Sequence, residues 1–247
     1  MELLSKHTRF RAYQLKSKES SCSYHNGSQF TLIEARYNDD NKPSILHELK
    51  TCRKPTIDVL HITSWDADHC IASDLEAILI ELQPQRIEYP GYEIDQAVDN
   101  QLACLKHIHD YERDSLGKGV DRNIYRIDPP YVSKLDNASS WGYSNVIYNN
   151  PKDYPEPNNN STIKLFRSGS FSVLSLGDLE KEELSKWLAG FEMIRIEVDV
   201  LLLAHHGADN GFTTSDFLAA VKPRVAIALC NWSNQHGHPN TIVLKRL

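Results

Sequence analysis

The sequence of 247 residues contains no long apolar run. A helix that crosses a bilayer needs about 20 consecutive apolar residues, and no stretch of this chain approaches that length. The first ten residues, MELLSKHTRF, also lack the apolar segment of a secretory signal peptide. We therefore expect a cytoplasmic protein that does not interact with a membrane.

Paired cysteines and a surplus of positive charge are absent as well. The five cysteines are scattered and form no CxxC pair, which favours a reduced intracellular protein over a disulfide framework. The formal net charge is −6. This charge argues against a broad basic surface for duplex nucleic acid, although a local basic patch is compatible with it.

Repeats, coiled-coil heptads and the dinucleotide-binding pattern GxGxxG are also missing. The chain instead alternates short apolar runs, typical of buried strands, with segments of helical periodicity. Strands are predicted at 30–34, 57–63, 86–90, 145–149, 161–166, 171–176, 198–204 and 224–229, and helices at 72–82, 94–116, 180–188 and 215–221. This alternation predicts an α/β or α+β fold in which helices cover sheets. Because no linker divides the chain, we treat residues 1–247 as a single domain.

Residues 128–160 differ from the rest of the chain in composition. They contain five prolines, many asparagines and several tyrosines. This composition predicts a long loop or lid around the short strand at 145–149, and long ordered loops are often functional. The tyrosines and Trp141 could stack on bases or simply pack against the protein.

Four clusters of aspartate and histidine each follow a predicted strand directly. They are SWDADH (64–69), Gly177-Asp178, His205-His206-Gly207, and the turn that contains His236 and His238. Each cluster alone is a weak signal, because an aspartate after a strand is usually a turn former or a helix cap. Together they favour a metal site, since loops on a rigid scaffold carry functional groups and carboxylate with imidazole suits zinc, manganese or iron(II).

Asp68 and His69 are neighbours in the sequence, and on a regular strand their side chains would point to opposite faces. They can converge only if the chain leaves the strand. The sequence therefore predicts an irregular turn after Thr63.

The order of these motifs resembles that of metallo-β-lactamase-fold hydrolases, and more narrowly the metallo-β-lactamase-like domain of ComEC-type competence DNA-uptake proteins. That domain carries HxDxDH, an asparagine-rich NNxS, a strand ending in GD, a strand ending in HHGS and a late HP turn. Here SWDADH, NNNS, LGDLE, LLLAHHGA and HGHPN follow in the same order. The resemblance implies a four-layer αβ/βα sandwich. It also implies metal-dependent hydrolysis of phosphodiesters in nucleic acid or nucleotides.

The resemblance further implies the roles of individual residues. Asp68, His69, Asp178 and His205 would hold one ion, which would lower the pKa of a bound water. Asp66 would serve a second ion, and Asp66 or Asp68 would accept the proton of the water. His206 or His238 would protonate the leaving oxygen, because imidazole titrates in the right range.

Ser64 stands where the family has histidine, and Ala208 replaces the usual serine of HHGS. The second half-site then offers only Ser64, Asp66 and an asparagine near Asn159, and serine and asparagine are weak zinc ligands. We expect one well-held ion and a second that binds loosely or only with substrate. Mn²⁺ or Zn²⁺ is the expected cofactor, with Mg²⁺ as a further candidate, because hard ions tolerate oxygen-rich ligation.

Two other functions fit the same sequence. The missing histidine at Ser64 fits a degenerate member that binds metal or nucleic acid without turnover, as a subunit beside protein partners in a larger assembly. The acidic net charge leaves open the hydrolysis of a small ester, thioester or lactam on the same fold. Lys164 and Arg167 could contact phosphate, although charges on strands are usually solvated.

Overall fold

A computed structural model describes residues 7–16, 19–95, 98–135, 145–148, 153–195, 198–231 and 234–247. The chain folds into two compact units, the first drawn from Met1–Tyr89 and Glu93–Arg126 and the second from Pro90–Tyr92 and Ile127–Leu247. The single-domain boundary of 1–247 stays a prediction. Trp141 and much of the predicted lid, at 136–144 and 149–152, lie outside the described residues.

The first unit is built on a six-stranded sheet in the order β1-β2-β3-β4-β5-β6. Its strands are β1 (Arg9–Ala12), β2 (Cys22–His25), β3 (Phe30–Ile33), β4 (Val59–His61), β5 (Arg86–Pro90) and β6 (Asn123–Ile127). β1, β2 and β3 pair antiparallel, whereas β3, β4 and β5 run parallel. The carboxyl ends of β3 and β4 therefore meet at one edge of this sheet, and the residues that follow them are neighbours.

One helix or helical segment follows each of the strands β3, β4 and β5 of the first unit. These helices are α1 (Lys42–Thr51), α2 (Ala72–Ala77), which continues into a π-helical turn (Ile78–Leu82), and α3 (Asp99–Gly117). The predicted helix at 72–82 is thus α2 with its π-helical extension. The long helix predicted at 94–116 is α3, which begins at Asp99 because Val98 has extended dihedral angles.

Buried apolar side chains explain why the predicted strands form. Phe30, Leu32, Ile33 and Leu60 of β3 and β4 are fully buried, and burial of a side chain of this size contributes roughly 1.5–3 kcal/mol. The polar strand β2 was not predicted from the sequence. It is nevertheless buried along its whole length, and its Ser23 hydroxyl pairs with the Tyr13 hydroxyl at 2.7 Å.

The second unit is built on a five-stranded sheet in the order β11-β10-β9-β8-β7. Its strands are β7 (Val146–Tyr148), β8 (Ile163–Ser168), β9 (Phe171–Ser175), β10 (Val200–Leu202) and β11 (Val225–Ile227). β9, β10 and β11 run parallel, and β7 and β8 pair antiparallel beside them. The three parallel strands therefore end at the same edge, where the predicted Asp and His loops begin.

The helices of the second unit are short. They are α4 (Pro129–Val132), α5 (Glu182–Leu188), α6 (Glu192–Arg195), α7 (Ser215–Val221) and α8 (Thr241–Arg246), with 3-10 turns at Pro157–Asn160 and Ala204–Gly207. Leu174, Leu201, Phe212 and Phe217 belong to the core cluster of this unit and are 0–1% exposed. Both units are mixed α/β with a sheet and helices, so the predicted fold class is confirmed.

The view of Lys164 as a solvated strand charge is wrong. Its side chain lies on β8 and the residue is buried, with the ammonium 4.9 Å from the ring centroid of Phe166. The aliphatic part of a lysine side chain packs readily on apolar surface, so a charged residue in a predicted strand is not necessarily exposed. Among the described residues, no helix combines the length and the apolarity that crossing a membrane would require.

Candidate metal centre

The segment from Ser64 to Cys70 forms a tight turn anchored in the core at both ends. Trp65 is 1% exposed and packs against Tyr89 with ring centroids 5.6 Å apart. Cys70 is also buried, and its Sγ lies 3.4 Å from Sγ of Cys104. The cysteine of SWDADHC is therefore part of the core, and the polar residues between the two anchors form the turn.

Backbone hydrogen bonds reverse the chain within this turn. The amides of His69 and Cys70 both donate to the carbonyl of Asp66, at 2.9 and 2.8 Å. The Asp66 amide in turn donates to Oγ of the buried Ser64, at 3.2 Å. As a result Asp68 and His69 offer ligand atoms within 4.8 Å of each other, although they are adjacent in sequence.

A buried carboxylate orients His69. Glu34 follows β3 with a φ of 70°, and its Oε1 lies 3.1 Å from Nδ1 of His69. The same carboxylate accepts hydrogen bonds from the amide (3.0 Å) and the hydroxyl (2.6 Å) of Thr63. A histidine whose Nδ1 proton is directed to a carboxylate presents Nε2 as its coordinating nitrogen, a common arrangement around metal ligands.

In the second unit, Asp178 and His206 form a similar pair. Asp178 follows β9, is 3% exposed, and its amide donates to Oγ of Ser161 at 3.1 Å. His206 follows β10, and its Nε2 lies 3.8 Å from Oδ1 of Asp178. Nδ1 of His206 is 2.6 Å from the carbonyl of Leu229. The backbone therefore fixes this imidazole with Nε2 directed toward the aspartate.

His205 and His206 point in different directions because both have left-handed backbone angles, with φ values of 45° and 56°. His205 is turned toward Glu180, whose Oε1 is 2.9 Å from its Nδ1, and its side chain is 26% exposed. Left-handed conformations of residues other than glycine cost roughly 1–2 kcal/mol each and cluster at functional sites. Gly207 completes the turn, since a Cβ there would lie 2.8 Å from Cβ of Pro239.

His238 lies in the turn after β11, close to the same edge of the second sheet. Its ring centroid is 5.9 Å from that of His205 and 5.7 Å from that of His236. Burial lowers the pKa of His238, and the neighbouring histidines lower it further. This ring is therefore mainly neutral near pH 7, which suits a proton acceptor better than a proton donor.

The asparagine-rich segment 158–161 supports the loop that carries Asp178. Oδ1 of Asn159 accepts hydrogen bonds from the amides of Glu180 and Lys181, at 3.0 and 3.1 Å. The amide nitrogen of Asn158 donates to Oε1 of Glu180 at 3.1 Å. The side-chain oxygen of Asn159 is thus already bonded to two backbone amides of this loop.

Sequence reasoning missed the residues that position the predicted ligands, namely Glu34, Thr63, Ser161 and Glu180. One signal in the sequence could have revealed Glu34, because this charged residue directly follows the apolar run of β3. The other three lie within or beside recognised motifs. Only the folded structure shows whether they face the site residues.

Carboxylate and imidazole groups provide a donor set that fits a divalent cation. Within each unit, one aspartate lies beside one buried histidine whose Nδ1 already has an acceptor. Zn²⁺ binds such oxygen and nitrogen donors in fourfold coordination, and Mn²⁺ accepts them as well. The residues present therefore fit a divalent metal.

The fold is that of the metallo-β-lactamases. The metallo-β-lactamase fold protein YhfI from Bacillus subtilis superposes with a TM-score of 0.57 at 10% identity, over 96% of this chain and 93% of that chain. The CmlA β-hydroxylase E377D mutant superposes with a TM-score of 0.51 at 13% identity, over 92% of this chain and 46% of that chain. No family model matches the sequence.

Two curated relatives are competence-related proteins. ComE operon protein 3 of Bacillus subtilis (strain 168) is 34% identical over 96 residues, which is 38% of this chain and 12% of that protein. Competence protein ComA of Neisseria gonorrhoeae is 26% identical over 153 residues, which is 58% of this chain and 22% of that protein. The predicted resemblance to ComEC-type domains is thus confirmed, although the chain spans less than a quarter of either relative.

Proposed function

We propose that the chain is a divalent-metal-dependent hydrolase that cleaves phosphodiesters of nucleic acid or nucleotides. The observation that carries this proposal is an arrangement found in both units. In each unit a buried histidine has its Nδ1 next to an acceptor, and an aspartate ligand atom lies close to it, within 4.8 Å for Asp68 with His69 and at 3.8 Å for Asp178 with His206. We propose that both pairs bind the same cation, as the metallo-β-lactamase fold suggests.

In this proposal His206 takes the ligand role that the motif alone gave to His205. His206 is 6% exposed and next to Asp178, whereas His205 is a quarter exposed and faces Glu180. The carboxylate of Glu180 orients the His205 ring and can stabilise the imidazolium that forms when the ring takes up a proton. His205 is therefore our proposed proton donor to the leaving oxygen.

A divalent cation bound to these residues would supply Lewis-acid chemistry, lowering the pKa of a water and neutralising charge on the phosphate oxygens. Asp66 stays the proposed acceptor of the water's proton, because it lies on the same turn as Asp68 and His69 and its side chain is half-buried. His238, mainly neutral, is a second acceptor at the same edge as His205. The choice of phosphodiesters draws on the competence-related relatives.

The test begins with chain stripped of metal by EDTA and reloaded with Mn²⁺, Zn²⁺ or Mg²⁺. Substrates are single-stranded DNA, RNA, cyclic nucleotides and bis(p-nitrophenyl) phosphate. We expect turnover only with metal, and a loss of at least about a hundredfold in Asp178→Ala and His206→Ala, because removing a proposed ligand should cost no less than the 10–100-fold typical of changes to residues that only support a ligand. His205→Ala should keep the metal stoichiometry and lose activity. The matched control is Asp216→Ala, an exposed carboxylate in the first turn of α7.

A metal-binding protein without turnover is the second candidate function. It is favoured by Ser64, which stands at the histidine position of the motif and uses its hydroxyl as an acceptor for the Asp66 amide. Stoichiometric metal binding without cleavage of any phosphodiester would support this candidate. Cleavage of a carboxylic ester, thioester or lactam instead would show that the chain is a hydrolase of such small molecules, the third function that fits the sequence. The cytoplasmic location and a protein partner in a larger assembly stay predictions.

A further inference from the structure

A small polar pocket lies at the other end of the parallel strands in the second unit. It has a volume of about 240 Å³ and is lined by Leu165, Arg167, Ser170, Ser172, Met193, Asp199 and Arg224. Ser172, Asp199 and Arg224 lie at or just before the starts of β9, β10 and β11, whereas Asp178, His206 and His238 follow the ends of these strands. Asp178 follows Ser172 by six positions, a span of up to roughly 20 Å. The pocket is therefore distinct from the candidate metal centre.

The carboxylate in this pocket is already committed to the protein. Oδ2 of Asp199 accepts hydrogen bonds from the amide and the hydroxyl of Ser172, at 2.8 and 3.3 Å. The Ser172 hydroxyl also accepts from the Asp199 amide, at 3.2 Å. These bonds join the starts of β9 and β10. Oδ1 of Asp199 lies 3.7 Å from Nε of Arg224, so this carboxylate offsets part of the positive charge of Arg224, which is one of two arginines in the lining.

Arg167 contributes the second cationic charge. Within the described residues, its guanidinium donates to the carbonyl of Gly169 at 3.3 Å and to Sδ of Met193 at 3.8 Å. A thioether is a weak acceptor, and no carboxylate of the described residues lies within 4.0 Å of this guanidinium. The lining thus has two guanidinium groups and one carboxylate, on a chain whose formal net charge is −6.

We propose that this pocket binds a phosphate group carrying two negative charges, either as inorganic phosphate or as the terminal phosphate of a nucleotide. Guanidinium groups bind tetrahedral oxyanions through paired charge-assisted hydrogen bonds. The exposed Ser170 hydroxyl adds a donor at the rim. The volume lies below the 300–1,000 Å³ typical of sites for drug-sized ligands, so the pocket holds the phosphate and leaves any nucleoside outside.

Calorimetric titration of the EDTA-treated full chain tests the proposal in the absence of a bound cation. The probes are inorganic phosphate, adenosine 5′-monophosphate, and one single-stranded DNA with either a 5′-phosphate or a 5′-hydroxyl end. We expect Arg167→Ala and Arg224→Ala each to weaken phosphate binding by about tenfold to a hundredfold, the loss of a hydrogen bond to a charged group. Arg195→Ala removes an exposed arginine that does not line the pocket, and should change affinity less than twofold.

The probes distinguish the source of the phosphate. Equal affinity for inorganic phosphate and the 5′-phosphorylated probes identifies the phosphate group alone as the ligand. Binding only of 5′-phosphorylated probes, lost in the two pocket variants, identifies a nucleotide terminus. Equal binding of DNA with a 5′-hydroxyl end, equal weakening by Arg195→Ala, or no binding of any probe would overturn the proposal. Arg224 is 62% exposed in its side chain, so its alanine variant should fold, and circular dichroism verifies this.

Discussion

Replacement of Glu34 by glutamine should weaken metal binding without removing any ligand. The glutamate accepts hydrogen bonds from the amide and hydroxyl of Thr63, and Nδ1 of His69 lies 3.1 Å from it. A glutamine has one acceptor oxygen and one NH₂ group, so it can satisfy Thr63 while its NH₂ donates to Nδ1 of His69. That reverses the tautomer of the imidazole and puts the proton on Nε2, the nitrogen we propose as the metal ligand.

The size of the effect follows from the contacts of Glu34. Changes of residues that hydrogen-bond to metal ligands typically cost about 10–100-fold in metal affinity. The weakened hydrogen bonds to a charged acceptor should also lower the free energy of unfolding by about 1–3 kcal/mol. Calorimetric titration with Mn²⁺ measures the first quantity, and urea denaturation of metal-free protein measures the second.

Glu88→Gln is the matched control for this experiment. Glu88 is also a buried carboxylate beside a histidine, with Oε2 at 2.9 Å from Nδ1 of His61, but that pair lies within β4 and β5, outside the Ser64–Cys70 turn. We expect Glu88→Gln to cost stability and to leave metal affinity unchanged. Equal loss of affinity in the two variants, or unchanged affinity in Glu34→Gln, would refute the proposed role of Glu34.

Three further predictions test the site and the fold. Ser64→His should raise the metal content of Mn²⁺-loaded protein, measured by elemental analysis after gel filtration; an unchanged content would mean that Ser64 is not the reason for weak binding of a second ion. The hydrogen bond from Arg9 lowers the pKa of Glu48. The stability that this pair contributes is therefore present above the unfolded pKa of about 4.3 and is lost as pH falls through the lower folded value. Glu48→Gln should lower the free energy of unfolding by roughly 1–3 kcal/mol at pH 7 and flatten its dependence on acid pH, and an unaltered pH profile would contradict this. Hydrogen bonding to Cys104 and burial raise the pKa of Cys70 well above its usual range. A thiol reagent should therefore modify the half-buried Cys52 of the folded protein much faster than Cys70, and peptide mass analysis would measure the two rates. Equal rates would argue against the buried position of the turn that ends at Cys70.

The sequence revealed the strands that carry the site because each of them is a short apolar run ending in a polar cluster. β4, β9 and β10 are of this kind, and their ends could be located to within a few residues. β1, β2 and β6 could not be found in this way, since RFRA, CSYH and NIYRI mix charged or polar residues with apolar ones. Their place in the sheet depends on pairing with strands distant in the sequence, and a local pattern does not record that pairing.

The choice of His206 as the proposed ligand shows the same limit at the scale of one residue. In the sequence His205 and His206 are adjacent and chemically identical, so the motif alone cannot decide which one faces Asp178. The backbone decides, because two successive left-handed residues turn the first imidazole toward Glu180 and the second toward Asp178. The conformation costs free energy, and two hydrogen bonds help to hold it, one from the Asn240 amide to the Gly207 carbonyl and one between Nδ1 of His206 and the Leu229 carbonyl. A motif therefore predicts where a cluster lies along a strand, whereas the dihedral angles after the strand determine which of two neighbouring side chains faces Asp178.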